Sequence, residues 1–464
     1  MNLINLSLVD VRRGLQTRQF SCAEYVGALL DEAHRRSALN CFVNVDAARI
    51  LREARFFDEQ PEAGRAGRLA GVPIAFKDNI DVRGVPTTAG TRKLHANVAT
   101  EHAAVAARLF NDGALFFGKL NMHELALGIT SNNGWLGPCR HPFDPDLSPG
   151  GSSGGNAAAL AAHLVPGAIG TDTGGSVRLP AALCGVVGLR PTAGRYSQAG
   201  IVPISHSRDT AGPMARCVED VALLDAVITG DRDHDAVELS GLRLGLLRHA
   251  TWGGLEREVQ TVCDEALDLL RKAGVELVDV SVENLEPLNQ AAGFPVVLYE
   301  LIRDLPAYLQ SRESALTIQA VIEQIGSPDV AQLMRLAIDD PVPDALYAEA
   351  LNARLELKEA YSQCFATHRL DAIILPTSPM TARPLGADET VELEGRQVPT
   401  FATFIRHTDY ASNAGLPGIS VPAGQTGAGL PVGLELDGPA GSDRRLLAVA
   451  AAIEQVLPKV RCAS

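Results

Sequence analysis

The sequence predicts an α/β protein: one large domain in which a central sheet is covered by helices on both faces. Two observations predict it. Segments with helical apolar spacing alternate with short apolar runs of strand length. No internal repeat, charge block or low-complexity linker interrupts that alternation. At 464 residues the chain is long enough to bury a large core without disulfides or metals.

The elements follow in order. The first 60 residues read as helices, with Ser7 a candidate cap. Ser21 and Glu24 form an S-x-x-E capping box ahead of the helical pattern AEYVGALLDEAHRR. Residues 72–76 are a strand candidate that ends at Lys77. Residues 105–111 close a helix stopped at Gly113, and 114–120 read as the next strand. Later, 259–273 is helix-like, Gly274 is a stop, and VELVDV is strand-like. Further strands are expected at 242–247, 372–375, 418–421 and 431–436, and a last helix at 444–456. The polar stretches 220–240 and 380–398 are expected to be surface loops.

Composition narrows the function. With 41 Lys+Arg against 55 Asp+Glu, the net charge of −14 argues against a generic nucleic-acid binder and an anionic membrane surface. The eight cysteines, at 22, 41, 139, 184, 217, 263, 364 and 462, form no C-x-x-C pair. Zinc-ribbon and thioredoxin-type sites are thereby excluded, and sparse unpaired thiols fit a reducing, cytoplasmic setting. The start MNLINLSLVDVRRGL lacks the apolar core of a signal peptide, and no apolar run is long enough to span a membrane.

The chemistry concentrates in residues 148–190, where two Gly/Ser clusters, SPGGSSGG and GTDTGGS, flank a small Ala-rich helix. Such glycine density marks backbone that turns sharply or approaches another group closely. Two familiar motifs fail on context. Gly113-Ala-Leu-Phe-Phe-Gly118-Lys119 is followed by Leu120, where a phosphate loop needs Ser or Thr, and its interior is apolar strand. Gly151-Ser152-Ser153-Gly154-Gly155 matches a nucleophile elbow, but the proline-rich HPFDPDLSPG before it cannot be the buried strand that elbow needs. His123, in NMHELALG, reads as helix surface or pocket lining, and neither His368 nor His407 has a triad motif around it. Lys77 remains. At a buried strand end it either loses solvation and serves as a neutral general base beside a serine, or snorkels to solvent as most such lysines do.

Taken together, GVPIAFKDNI, SPGGSSGGNAAA and GTDTGGSVRLPAALCGVVGLRPT resemble the amidase signature family, over essentially the whole chain. The spacings from Lys77 to Ser152 and on to Ser176 fit that family too. The resemblance implies a central mixed sheet and a Ser-cisSer-Lys triad. Ser176 is the nucleophile, Ser152 the relay serine after a cis peptide bond, and Lys77 the general base. Ser153 and Asp172 would support them, and Arg178 would hold the Gly/Ser loops together. Backbone amides of Thr173, Gly174, Gly175 and Ser176 would form the oxyanion hole. An acyl-enzyme on Ser176 would be hydrolysed by water, with no metal or organic cofactor. Asn156 departs from the serine that many members carry after SSGG, outside the triad. The resemblance divides the single domain into N-terminal helices (1–60), a catalytic core (61–220), a variable substrate-side region (221–410) and C-terminal strands with a helix (411–464).

By position in the family, Ala126, Gly128, Ile129, Thr130 and Ser131 would line the acyl pocket. Their sequence, ALGITS with Leu127, is small and neutral, with two hydroxyls. Trp135 and residues 294–299 are either aromatic walls or core. The segments SHSRD (205–209), LNQ (288–290), LYE (298–300), IRHTDYASNAGLP (405–417), LPVGLELD (430–437) and AIEQVL (452–457), with NMHELALGITSN, resemble members of the family that hydrolyse indoleacetamide and mandelamide. The expected reaction is therefore hydrolysis of a small primary amide, indole-3-acetamide being the sharpest version. Alternatives are the amidase subunit of a tRNA-dependent amidotransferase, a ureide or allophanate hydrolase, and an inactive binding protein on the same fold. A ureide pocket would need a cation for the substrate carboxylate, which ALGITS does not supply. The intact Lys77, Ser152 and Ser176 argue against the inactive protein. The expected partner is a small amide, without direct nucleic-acid or membrane contact; a homodimer stays open.

Overall fold

Eleven strands form one mixed sheet in the computed structural model, which describes residues 2–61, 65–231, 236–312 and 316–460. In chain order the strands are β1 (Phe42–Asn44), β2 (Pro73–Lys77), β3 (Leu115–Leu120), β4 (Gly167–Asp172), β5 (Val187–Arg190), β6 (Thr210–Ala215), β7 (Arg243–Leu246), β8 (Glu276–Asp279), β9 (Ala372–Pro376), β10 (Thr390–Leu393), β11 (Arg396–Pro399), β12 (Gly418–Gln425) and β13 (Pro431–Asp437). The large sheet runs β1-β3-β2-β4-β6-β5-β12-β13-β9-β7-β8, and β10 pairs only with β11. Parallel pairs lie towards its two ends, at β3-β2-β4 and β9-β7-β8, and antiparallel pairs join them through the middle.

Local chemistry made much of this legible. Ser7 caps the helix Leu8–Gln16 by accepting the Asp10 N–H, and both halves of the Ser21–Glu24 capping box are present. The helix Ala104–Asn111 joins the parallel strands β2 and β3, and Arg257–Lys272 joins β7 and β8. These are the crossovers that parallel strands require. The last helix is Asp443–Glu454. The seven described cysteines are all free thiols, and Cys462 lies outside the described residues. Among the described residues no helix is long and apolar enough to cross a membrane.

Both expected loops are corrected in part. The stretch 220–240 begins inside a helix, Val218–Thr229, in which even Asp220 and Asp225 are buried. Asp220 and Asp225 are internal ligands rather than surface, while Glu238 and Ser240 lie exposed outside any helix or strand, as expected. Asp220 accepts the N–H groups of Leu8 and Val9 at 2.9 and 3.0 Å, capping the first helix from outside. Asp225 accepts from Arg195 and from the Tyr196 hydroxyl. Residues 232–235 lie outside the described residues. In 380–398, Met380, Val391 and Leu393 join a small core with Ile129, Leu179, Leu183 and Phe404. There the hairpin β10–β11 alternates exposed Thr390 and Glu392 with buried Val391 and Leu393.

The site is set by β2 and β4. They are neighbours and parallel, with Phe76 opposite Ile169. Both are wholly buried, and their carboxyl ends leave the sheet side by side. Lys77 closes one strand, and Thr171 and Asp172 close the other. In open α/β sheets that end is where ligand sites form.

Candidate active site

Lys77 is fully buried, and its ammonium end meets only oxygen. Its Nζ lies 2.8 Å from Ser152 Oγ, 2.7 Å from Thr171 Oγ1 and 3.4 Å from the Thr171 carbonyl. Asn79 Nδ2 donates to the same Thr171 hydroxyl at 3.0 Å. Burial pushes the Lys77 pKa down to about 7, while Asp172 and Asp209 pull it back up. Lys77 therefore does not snorkel.

Ser152 follows a cis peptide bond from Gly151 and is fully buried. Ser153 joins the two Gly/Ser loops. Its N–H donates to the Ser176 carbonyl at 3.1 Å, and its Oγ donates to the Thr171 carbonyl at 3.2 Å. Ser176 lines a cavity at the end of β4. Lys77 and Ser152 thus touch directly, and Ser176 is tied to them through the Ser153 backbone.

Asp172 organises the second loop. Its Oδ1 accepts the Gly175 N–H at 2.9 Å, and its Oδ2 accepts the Val177 N–H at 3.1 Å. Arg178 grips both oxygens, and Arg190 Nη1 adds a contact at 3.0 Å. All three charged side chains are fully buried. The two guanidiniums hold the Asp172 carboxyl well below the usual range, against the opposing effect of burial. Arg178 also reaches the Thr408 carbonyl, Ser412 Oγ and Glu435 Oε1 at 3.0, 2.7 and 2.5 Å. It holds the second Gly/Ser loop to C-terminal elements rather than clasping the two loops to each other, which is the work of Ser153.

The oxyanion expectation needs one correction. The Gly175 N–H is committed to Asp172, so it is not free for a substrate oxygen. The N–H groups of Thr173, Gly174 and Ser176 make no hydrogen bond among the described residues. Gly175 instead supplies shape. Its φ is +130°, and a Cβ there would lie 2.1 Å from Thr408 Oγ1.

The cavity holds about 570 Å³ of empty space, its mouth included. Ala126, Leu127, Gly128 and Ile129 form one side. Gly128 rests on the His123 ring so closely that a Cβ would lie 2.1 Å from its Nε2. His123 is accordingly buried in a loop, not on a helix surface, and its Nδ1 accepts the Ser131 N–H at 3.2 Å. Thr130 and Ser131 do not line the cavity. Thr130 Oγ1 donates to Asp388 at 2.5 Å, and Ser131 Oγ accepts the Gly154 N–H at 3.1 Å. The two hydroxyls of ALGITS are spent on holding loops.

Chain segments far from the motifs complete the wall. Gly293, Phe294 and Val297 come from the helix Leu285–Ser311, Leu333 from Pro328–Asp339, Phe401 and Ile405 from Thr400–Ile405, and Ile204 from the preceding loop. Phe294 and Phe401 pack against each other, tilted by 50°, with ring centroids 6.0 Å apart. Tyr299 is stacked on Tyr347, and neither it nor Trp135 is among the lining residues. The charged lining residues are Arg208 and Asp409, paired at 2.5 Å. A cation does reach the wall, from SHSRD rather than ALGITS, but a carboxylate already neutralises it. The sequence reading gave no role to Thr171, Arg208 or Asp409, although all three stand in segments that carried the resemblance.

The fold and this site define an amidase. The Amidase family model matches residues 24–447, and the chain belongs to the amidase signature family. It is an amidohydrolase acting on C–N bonds other than peptide bonds. Over 454 residues it is 44% identical to an indoleacetamide hydrolase from Agrobacterium vitis, covering 97% of each chain. It is 40% identical to a mandelamide hydrolase from Pseudomonas putida over 478 residues, covering 98% of this chain and 92% of that one. A peptide amidase from Stenotrophomonas maltophilia shares the fold at a TM-score of 0.86 and 30% identity, covering 99% of this chain and 98% of that chain.

Proposed function

We propose that this amidase hydrolyses a small neutral arylacetamide, indole-3-acetamide first among them, to the carboxylic acid and ammonia. The observation that carries the reading is a buried lysine bonded to Ser152 beside a largely apolar cavity lined by Ser176. The wall suits a flat aromatic group, and the Arg208–Asp409 pair leaves no free cation for a substrate carboxylate. Relatives named for indoleacetamide and mandelamide support the same class.

In this mechanism Ser176 Oγ attacks the amide carbonyl carbon. Its proton passes to Ser152 Oγ as the Ser152 proton passes to neutral Lys77. The new oxyanion is received by unengaged N–H groups of the 173–176 loop, and each such donor is worth about 3–4 kcal/mol in the transition state. Collapse breaks the C–N bond. The proton returns from Lys77 through Ser152 to the leaving nitrogen, and ammonia departs. Water then attacks the Ser176 ester through the same relay.

The test is ammonia release from indole-3-acetamide, phenylacetamide, mandelamide, benzamide, a short aliphatic amide, glutamine and allophanate, by wild type and Ser176→Ala. Turnover of the arylacetamides that vanishes in the variant is expected. Preference for glutamine or allophanate would overturn the substrate class, and an active Ser176→Ala would overturn the nucleophile.

A further inference from the structure

Four consecutive carbonyls at the end of β4 are each held by a different donor. The Asp172 carbonyl accepts from Arg190 Nη1 at 2.6 Å, and the Thr173 carbonyl from Arg208 Nη2 at 3.3 Å. The Gly174 carbonyl accepts from Thr408 Oγ1 at 2.6 Å, and the Gly175 carbonyl from the Leu179 N–H at 2.8 Å. In a trans peptide the C=O and the next N–H lie in one plane and point in opposite directions. Each clamp on a carbonyl therefore aims the N–H of the following residue. Arg208 aims that of Gly174.

Arg208 differs from the other clamps in where else it reaches. It is a cavity-wall residue, and its Nη1 donates to the Gly293 carbonyl at 3.1 Å, next to Phe294. Asp409 Oδ1 holds Nη2 at 2.5 Å, and Asn413 Nδ2 holds Asp409 Oδ2 at 2.9 Å. The guanidinium is 3% exposed. The acceptors its terminal nitrogens reach are two backbone carbonyls and the Asp409 carboxylate, so these bonds orient backbone, while its Nε–H has no partner among the described residues.

We propose that Arg208, braced by Asp409, is a positioning residue of the oxyanion hole. By holding the Thr173 carbonyl it turns the Gly174 N–H towards the substrate oxygen. Its other terminal nitrogen, on the Gly293 carbonyl, fixes the guanidinium in place for that task. The inference rests on Ser176 being the nucleophile.

The experiment compares wild type, Arg208→Met, Arg208→Lys and Asp409→Asn as full chains. It measures steady-state ammonia release from the preferred arylacetamide and inhibition by the matching arylacetaldehyde, whose adduct with a serine carries the tetrahedral oxyanion. For Arg208→Met, kcat is expected to fall by about tenfold to a hundredfold, less than the loss of a whole donor. KM should stay within about threefold, and aldehyde affinity should fall by the same factor as kcat/KM. Arg208→Lys should recover part of the loss. If Arg208→Met does not fold, Asp409→Asn decides, with a smaller fall in kcat and aldehyde affinity at near-constant KM. An unchanged kcat, a rise in KM alone, or unchanged aldehyde affinity overturns the proposal. Labelling of the wild type by a fluorophosphonate, mapped by peptide mass, separates the two readings. No adduct on Ser176 removes the nucleophile and the inference with it. An adduct on Ser176 with unmoved kcat in Arg208→Met removes the inference alone.

Discussion

Lys77 Nζ stands 2.8 Å from Ser152 Oγ with Thr171 on its other side, and both Lys77 and Ser152 are fully buried. The Thr171 carbonyl can only accept, and the Thr171 hydroxyl already receives the Asn79 N–H. A neutral Lys77 that donates to these two oxygens keeps its lone pair for the Ser152 proton. The geometry and the depressed pKa favour the same protonation state.

The pH dependence follows. In the proposed relay neutral Lys77 is the active form, and burial lowers its pKa to about 7. Activity should rise with pH through that value, level above it, and fall about tenfold per unit well below it. Asp209 raises the Lys77 pKa, so Asp209→Asn should shift the acid limb to lower pH. A kcat/KM profile that stays flat down to about pH 5 would rule out Lys77 as the base.

The same burial has a cost in stability. A lysine with a lowered folded pKa takes up its proton more readily in the unfolded chain, across the window from about 10.5 down to about 7. The penalty is absent above that window, grows as pH falls through it, and is complete below it. Lys77→Met should therefore be inactive yet more resistant to thermal unfolding, with a larger gain at pH 7 than at pH 10.5. Melting curves at the two pH values check this, and an equal gain at both would contradict it.

Gly175→Ala should be nearly inactive. The residue sits at φ +130°, and the added Cβ would lie 2.1 Å from Thr408 Oγ1. Strain of about 1–3 kcal/mol at that backbone position is joined by a clash with the side chain that clamps the Gly174 carbonyl. Thr408→Ala removes the Oγ1 contact but leaves the residue 408 Cβ 2.8 Å from the added Cβ, and the strain stays, so the double variant should regain little. Ammonia release by the single and double variants measures both parts.

The aromatic wall should act on binding more than on chemistry. Phe294→Ala or Phe401→Ala removes one face of the 6.0 Å ring pair. KM for arylacetamides should rise severalfold to about tenfold, in line with about 1 kcal/mol for an aromatic contact. A short aliphatic amide, too small to span the cavity, should be affected less. Equal losses on both substrates would place the two rings outside the binding surface.

Lys77, the serine pair and the Gly/Ser loops were readable because each lies in a short contiguous motif. The capping box and strand ends were readable for the same reason: the groups that satisfy one another are three or four residues apart. Polar letters misled where their partners were distant. Asp220 looks like loop in isolation, and it is buried because Leu8 and Val9 bring N–H groups from 212 and 211 residues away. Thr130 and Ser131 looked like pocket hydroxyls until Asp388 and Gly154 claimed them.

The sequence by itself determined the family, because Lys77, Ser152 and Ser176 each lie in a short contiguous motif whose residue types are specific. Only the tertiary structure decided how the 173–176 loop is clamped from outside, since Thr408 and Arg208 hold the Gly174 and Thr173 carbonyls from 234 and 35 residues away. It also decided what the substrate meets. Arg208 and Asp409 are 201 residues apart and become one neutral pair in the cavity wall, and Phe294 and Phe401 become one tilted ring pair in the same wall. Charge, shape and hydrogen-bond direction at this site are properties of juxtaposition, and no local pattern encodes them.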